Sequence, residues 1–394
     1  MSGSPIPDAT AMIPLAIPNL AGREAEYLQE CVATTFVSTV GPFVGRFEAA
    51  VAAAAGAEAA VSTSAGTTAI HAALVALGVE RDDLVIVPAL TFIATVSGIH
   101  WAGGRPWFAE SAPESWTLDP GRIETLLARE VVMDGTGVAR HRATGLRVKA
   151  MVPVYTLGNP PDMDRLVEVA RRYGLSILAD AAAALGATYR GRPLGEFGAD
   201  LSIISFNGNK TVTAGGGGAV VGKAELIDRV RHLVTTARVG SDYLHDAVGF
   251  NYRITNIQAA VGLAQMERLD ALVERKREIR RRYDDAFEGV PGLRPFPSPE
   301  WGRSADWFSG VVVEGMTEPG MKRFVAGLRK RRIDARPFWI PMHLQPPLQH
   351  HLADDLTFTE GLWHQVLTLP CSTSLTHADQ DHVVAAVRAQ LAAG

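Results

Sequence analysis

The chain has 394 residues, of which 47% are hydrophobic and 20% charged, a composition that suits a globular protein large enough for two domains. The net charge is −4, from 38 basic and 42 acidic residues, and no basic block is present, which argues against a nucleic-acid partner. The cysteines are Cys31 and Cys371, so a disulfide framework and a cysteine-rich zinc site are excluded.

The first residues show no signal-peptide pattern, because no charged segment is followed by an apolar core. No stretch supplies the roughly twenty strongly apolar residues that a membrane-spanning helix needs. The sequence therefore predicts a cytoplasmic protein without a membrane partner.

Strand-like and helix-like runs alternate through the first part of the chain. Residues 48–78 are predicted to form two helices separated by a turn near Gly56, the second running from Thr67 to Leu77. The later predicted strands are 84–88, 106–109, 148–154, 176–179, 201–205 and 219–221, and the predicted helices are 94–102, 123–129 and 163–173. This alternation predicts an α/β fold with a mainly parallel sheet between helices.

The last third of the chain has a different pattern. One long helix is predicted over 256–287, and prolines then interrupt the chain between 291 and 299. A strand at 310–313 and helices at 321–331 and 380–392 indicate a smaller α+β unit. We therefore predict a large domain over 1–260, including the N-terminal segment, and a small C-terminal domain over 261–394. The N-terminal segment is expected to pack on the small domain.

Two residues at predicted strand ends carry the chemistry. Asp180 closes the strand 176–179, and Lys210 follows the strand 201–205 in the run Ser205-Phe-Asn-Gly-Asn-Lys. In open α/β sheets, ligands bind outside the carboxyl ends of the strands. A lysine that forms a Schiff base with an aldehyde and an acid that holds a pyridinium nitrogen are the pair that pyridoxal phosphate requires.

Other segments have a functional and an ordinary interpretation. The run from Ser64 opens a helix at Gly66 and Thr67, which predicts either a phosphate site or a simple helix cap. Phe92, at a strand end, could stack on a flat ring or pack in the core. Asn251 and Arg253 could face an anion, or precede a helix capped by Thr255 or Asn256.

A histidine-rich segment near the C-terminus offers a possible metal site. It contains His343, His350 and His351, but carboxylate and cysteine partners at the usual spacings are missing. We therefore predict no metal centre.

At this point the chain resembles the sugar aminotransferases of the DegT/DnrJ/EryC1/StrS family, which are fold-type-I pyridoxal phosphate enzymes. The resemblance covers nearly the whole chain and rests on the segments 36–44, 64–71, 153–164, 180–187, 205–210, 249–260, 336–339 and 369–370. Segments 205–210, 245–253 and 336–339 look most like the branch that aminates C4 of UDP-linked 4-keto-6-deoxy-hexosamines on the legionaminic-acid-type route.

The resemblance implies the activity. The enzyme would move an amino group from L-glutamate to the keto group of a nucleotide-linked 4-keto-6-deoxy sugar through a Schiff base on Lys210. The active unit would be a homodimer with shared active sites.

The resemblance also implies residue roles. Lys210 and Asp180 would be catalytic, and the cofactor pyridoxal 5′-phosphate would be held by Gly66, Thr67, Phe92, Asp180, Ser205 and Lys210, with Asn251 reaching the cofactor of the other subunit. Arg253, Tyr155 and His343 would contact substrate.

Two departures from the family pattern leave alternatives open. Ala183 stands where the family usually has Gln, Glu or His, and Tyr155-Thr-Leu replaces a histidine and an aromatic. The alternatives are a different keto sugar or an inosose in natural-product biosynthesis, and a dehydration or aromatisation on the same cofactor. A non-catalytic regulator is disfavoured, since binding alone requires neither Lys210 nor Asp180.

Overall fold

A computed structural model describes residues 12–392. The helices, in chain order, are α1 (Glu24–Ala33), α2 (Pro42–Ala55), α3 (Gly66–Ala76), α4 (Ile93–Trp101), α5 (Pro120–Glu130), α6 (Met163–Arg172), α7 (Ala224–Val234), α8 (Asn256–Met266), α9 (Leu269–Phe287), α10 (Glu318–Lys330), α11 (Thr357–Leu362) and α12 (His377–Ala392). The strands are β1 (Ala59–Thr63), β2 (Leu84–Pro88), β3 (Arg105–Ala109), β4 (Val131–Met133), β5 (Ala139–His141), β6 (Val148–Met151), β7 (Ser176–Asp180), β8 (Thr188–Tyr189), β9 (Arg192–Pro193), β10 (Leu201–Ser205), β11 (Gly218–Gly222), β12 (Arg238–Val239), β13 (Leu244–His245), β14 (Leu293–Arg294), β15 (Gly302–Arg303), β16 (Ser309–Val313), β17 (Arg336–Pro337), β18 (Leu352–Ala353) and β19 (Val366–Leu369).

The large sheet has the strand order β1-β11-β10-β7-β6-β2-β3-β18. Strand β11 is antiparallel to both of its neighbours, and the other adjacent pairs are parallel. This arrangement confirms the predicted α/β class. Because the parallel strands point the same way, their carboxyl ends meet along one edge of the sheet.

Both faces of this sheet are buried, as the alternation in β2 illustrates. Val85 and Val87 belong to a core cluster that includes residues of α3, α4 and α7. Leu84 and Ile86 belong to a second cluster with residues of α2, α5, α6 and α8. Side chains that alternate across a strand thus contact a helical layer on each side, which stabilises a parallel sheet.

The C-terminal third forms a second sheet with the order β14-β16-β19-β17, all antiparallel. Apolar residues of α9, α10 and α12 form a separate core with it. The N-terminal segment packs here as predicted, since Ile13 N donates to Arg332 O (2.8 Å) and Cys371 N donates to Leu15 O (2.8 Å). Strand β18 instead joins the large sheet beside β3. The boundary between 260 and 261 remains a prediction.

The structure corrects two of the predicted elements. The prediction over 48–78 omitted strand β1, which lies between the two helices and pairs along its whole length with β11. The helix predicted over 256–287 is two helices, α8 and α9. They are separated at Arg268, whose backbone is not helical (φ −116°, ψ 8°).

The described part of the chain contains no helix with the length and hydropathy that a membrane span requires. Residues 1–11, where we predicted no signal peptide, lie outside the described residues.

Candidate active site

The two predicted catalytic residues lie together at the carboxyl edge of the large sheet. Asp180 is the last residue of β7, and Lys210 follows the neighbouring strand β10 by five residues. Both line a cavity of about 370 Å³ at this edge. The structure therefore brings an amine and a carboxylate into one cavity at the sheet edge, where the sequence placed both residues.

The carboxylate of Asp180 is buried, with 5% of the residue exposed. Thr95 Oγ1 donates to its Oδ2 (2.6 Å), and the backbone N–H of Ala182 donates to its Oδ1 (3.1 Å). Burial raises the pKa of Asp180, whereas these two hydrogen bonds and the nearby Lys210 charge oppose that rise. Both oxygens are thus fixed in direction, which suits a carboxylate that holds a cation beside it.

Lys210 lies in a short loop whose ends are joined, because Ala214 N donates to Phe206 O (2.9 Å). Its Nζ is 3.6 Å from the centre of the Trp307 ring, a cation–π geometry. Burial lowers the pKa of Lys210 to about 8, although the charge of Asp180 acts in the opposite direction. An amine with this pKa can carry or release a proton near neutral pH.

The amino end of α3 also lines the cavity. The first N–H groups of a helix have no partner one turn earlier, and the residue that precedes α3, Ala65, has no polar side chain to cap them. Ser205 lies against Gly66, where an added Cβ would be 3.1 Å from Ser205 Cβ and 3.2 Å from its Oγ. Thr67 and Ser205 line the same space. Open N–H groups beside two hydroxyls form a site that fits a phosphate.

Phe92 is an exposed wall of this cavity rather than a core residue. It is 53% exposed, and its ring centre lies 5.7 Å from that of Trp339. Trp339 and Trp307 also line the cavity, with ring centres 6.2 Å apart. Aromatic side chains thus surround the space in which a flat ring would lie.

The remaining predicted residues are dispersed. Tyr155 lines the cavity, but its ring is 1% exposed and stacks on Phe197, so that burial raises its pKa well above the usual range. Arg253 donates from Nη2 to Thr39 O (2.5 Å). Arg253 and the exposed Asn251 both lie outside the cavity lining. His343, also outside it, contacts Glu360 Oε1 through Nε2 (2.9 Å).

Sequence reasoning missed two residues of the site. Thr95 follows Thr91 by four residues, and their hydroxyls are 2.8 Å apart, but nothing in the local sequence connects Thr95 with Asp180. Trp307 lies just before strand β16 of the second sheet, and no local pattern connects it with Lys210. Over residues 12–392, no group of three or more His, Cys, Asp or Glu side chains is arranged to hold a metal ion.

Comparison with known proteins assigns the family. Residues 18–388 match the model of the DegT/DnrJ/EryC1/StrS aminotransferase family. The chain belongs to this family. It is 36% identical over 378 residues to a GDP-perosamine synthase of Caulobacter vibrioides, with 95% of this chain and 97% of that protein covered.

Solved structures agree with this assignment. A DegT DnrJ EryC1 StrS aminotransferase from Brucella abortus superposes with a TM-score of 0.84 at 28% identity, covering 93% of this chain and 95% of that one. DesV of S. venezuelae superposes with a TM-score of 0.83 at 29% identity, covering 94% of each chain. The fold is therefore fold type I, and this chain is a sugar aminotransferase that depends on pyridoxal 5′-phosphate.

The cavity fits this cofactor on three independent points. The open end of α3 beside Gly66 and Ser205 suits the phosphate, the aromatic walls suit the ring, and Asp180 and Lys210 suit the ring nitrogen and the aldehyde.

Proposed function

We propose that this enzyme transfers the amino group of L-glutamate to the keto group of a nucleotide-linked 4-keto-6-deoxy sugar, through a Schiff base on Lys210, in the cytoplasm. The observation that carries the proposal is the pairing of Lys210 and Asp180 in one buried cavity beside the open amino end of α3. Similarity over 95% of the chain to a GDP-perosamine synthase supports a nucleotide-linked sugar as the acceptor.

The carboxylate of Asp180 has an electrostatic role in this proposal. When bound, pyridoxal phosphate supplies an aldehyde and a ring that accepts electrons while its nitrogen carries a proton. Asp180, held by Thr95 and Ala182, keeps that proton on the ring nitrogen. A cation facing a buried carboxylate favours the charged form of both groups, so each stabilises the other.

Lys210 moves the proton. Its Nζ accepts the α-proton of the amino donor and later returns a proton, which requires an amine that is neutral in an appreciable fraction of molecules. The lowered pKa, about 8, meets this requirement near neutral pH. The first N–H groups of α3, with Thr67 and Ser205, hold the cofactor phosphate in this proposal.

The close contact at Gly66 leads to a prediction about cofactor affinity. In the Gly66→Ala variant the added methyl presses on Ser205, since it would lie 3.1 Å from Ser205 Cβ. Overpacking of this kind costs about 1–3 kcal/mol, so we expect the Kd for pyridoxal phosphate to rise roughly tenfold or more. Equilibrium titration of the apoprotein measures this. Gly361→Ala is the control, because the methyl there meets nothing within 4 Å. An unchanged Kd for Gly66→Ala would contradict the phosphate site.

The pKa of Lys210 leads to a prediction about pH. Only the neutral amine attacks an aldehyde, so the rate of covalent cofactor capture by the apoprotein should rise with pH and level off above a midpoint of about 8. Stopped-flow absorbance across pH 6–10 measures it. A rate that keeps rising to pH 10 would indicate an ordinary, solvated lysine.

We propose further that the active unit is a homodimer with shared sites. Large apolar residues are exposed at Val32, Val40, Tyr243 and Val248, with exposed fractions from 62% to 89%. Tyr243 lies in the β12–β13 hairpin, and Val248 follows it, close in sequence to the exposed Asn251. An exposed apolar surface beside an unused polar group supports a second copy of the chain as its partner.

Complementation tests this arrangement. Chains carrying Lys210→Ala and chains carrying Asn251→Ala are each expected to be impaired, whereas their hybrid dimer has one site with both native residues. After equal mixing and subunit exchange, about half of the dimers are hybrids, and each hybrid has one native site of its two. The mixture should therefore recover about one quarter of the wild-type activity. Size-exclusion chromatography with light scattering verifies the dimer. No recovery in verified hybrids would place Asn251 and Lys210 of the same chain in one site.

Ala183 favours a second candidate reaction. It gives a methyl group, which forms no hydrogen bonds, in the wall of the cavity. The second candidate is therefore a dehydration or an aromatisation on the same cofactor. A different keto sugar or an inosose remains the alternative acceptor for amino transfer.

Two half-reactions test the proposed function. L-glutamate should shift the absorbance band of the bound cofactor and yield one equivalent of 2-oxoglutarate. GDP- and UDP-linked 4-keto-6-deoxy sugars, added next, should restore the original spectrum and give an amino sugar detectable by mass spectrometry. A cofactor that ignores glutamate, or that is not restored by any nucleotide-linked keto sugar, would reject the proposal in favour of the second candidate.

A further inference from the structure

Trp307 lies just before strand β16 of the second sheet and contacts the lysine of the proposed mechanism. Its ring faces Lys210, with Nζ 3.6 Å from the ring centre. Its indole Nε1 donates to the backbone carbonyl of Asn209, the residue before Lys210, at 2.7 Å. One side chain therefore contacts both the amine and the backbone that positions it.

The position of this ring is fixed from several sides. Trp307 is 4% exposed and stacks on Phe308, with ring centres 3.9 Å apart. Its backbone N donates to Leu157 O (3.1 Å), and its carbonyl accepts from Nζ of the buried Lys276 (2.9 Å). A side chain held by its neighbours in this way cannot move aside at little cost, so it can hold another group in place.

Ala183 belongs to the same core cluster and the same cavity lining as this ring. Its methyl packs against the small-domain core to which Trp307 belongs, and both residues line the active-site cavity. The backbones of the two segments approach at Gly158, where an added Cβ would be 3.0 Å from Ala183 O and 3.2 Å from Asp306 N. A longer side chain at 183 would compete for the space beside the indole.

We propose that Trp307 is a positioning residue for Lys210, and that Ala183 is the small partner that admits it. The ring face stabilises the amine while Nζ carries a proton, and the bond to Asn209 fixes the direction of the lysine. This inference rests on the proposed role of Lys210. In a buried site a positive amine needs such a partner, since burial alone disfavours its charge.

Two variants distinguish the effect of the ring face from the effect of the indole N–H. Trp307→Leu removes both, so the midpoint of the pH profile for covalent cofactor capture should fall by roughly one pH unit. Trp307→Phe keeps an aromatic face, so its midpoint should stay at that of the wild type while its plateau rate decreases. Trp101→Leu is the control: it alters an exposed tryptophan at the end of α4 that lies outside the cavity lining, and its midpoint should not move.

The readout is the stopped-flow rate of cofactor capture by the folded apoprotein, which requires no turnover. An unchanged midpoint in Trp307→Leu, with capture still abolished by Lys210→Ala, would overturn the role of Trp307 alone. Capture that survives Lys210→Ala would instead overturn the role of Lys210. If Trp307→Leu does not fold, Trp307→Phe still decides, because a midpoint shifted as far as one pH unit would contradict a role for the ring face.

A double-mutant cycle tests the pairing with Ala183. Ala183→Gln alone should raise the cofactor Kd at least tenfold, because the longer side chain meets the indole. In the Trp307→Leu background the same change should cost much less. Equal costs in the two backgrounds would show that the residues do not share space.

Discussion

Replacing Lys210 with alanine is expected to lower turnover by at least about 10³-fold and to leave the fold intact. The variant lacks the amine that joins the cofactor and that carries the proton at Nζ. Burial destabilises the charged form of Lys210, as its lowered pKa of about 8 indicates, and the variant lacks this unfavourable contribution. The lost contact with Trp307 acts in the opposite direction and is worth about 0.5–2 kcal/mol. The thermal midpoint should therefore change little.

Lys223→Ala is the matched control, since this exposed lysine follows β11 and lies outside the cavity lining. It should retain full activity. Mass spectrometry after borohydride reduction should find the cofactor attached to Lys210 in this control and in the wild type. Substantial turnover in a folded Lys210→Ala protein, or attachment at another lysine, would contradict the proposed role.

The fold could be predicted wherever a local pattern agrees with tertiary pairing. Strands β2, β7 and β10 are apolar on both faces, and two-sided burial in a parallel sheet produces that pattern. Strand β1 could not be found, because alanines there continue the helical composition of α2 and only pairing with β11 makes the segment a strand. The break between α8 and α9 has no Gly or Pro to mark it. It coincides with bonds from Arg268 to the N-terminal Asn19.

The residues of the site also divide into those that a local pattern predicts and those that depend on tertiary packing. Asp180 and Lys210 could be predicted because each lies at or just beyond the end of its own strand. Thr95 is 85 residues from Asp180 in sequence, and Trp307 is 98 residues from Asn209, so their contacts depend on how α4 and the small-domain sheet pack. Asn251, Arg253 and His343 lie outside the cavity lining, so their roles stay predictions.

Asp180→Asn is expected to lower the rate of the glutamate half-reaction by about 10²–10³-fold while the cofactor still attaches to Lys210. Asparagine matches the shape of aspartate and can still accept the hydrogen bond of Thr95 or Ala182 through its single carbonyl oxygen. It carries no charge, so it does not hold a proton on the ring nitrogen, and the ring accepts electrons poorly. The loss should therefore fall on kcat rather than on the KM for glutamate.

Two companion variants make this test specific. Thr95→Val removes a hydrogen bond to the same carboxylate but keeps its charge, so its rate should fall by only about tenfold, as expected for the loss of one bond to a charged group. Asp200→Asn changes an exposed aspartate at the opposite end of β10, where its carboxylate accepts from Ile177 N (2.7 Å), and should leave kcat unchanged. A loss of rate that is absent in Asp200→Asn, moderate in Thr95→Val and largest in Asp180→Asn would support the charge of Asp180 as the cause. Equal losses in Thr95→Val and Asp180→Asn would mean that the hydrogen-bonded shape of the site matters and its charge does not.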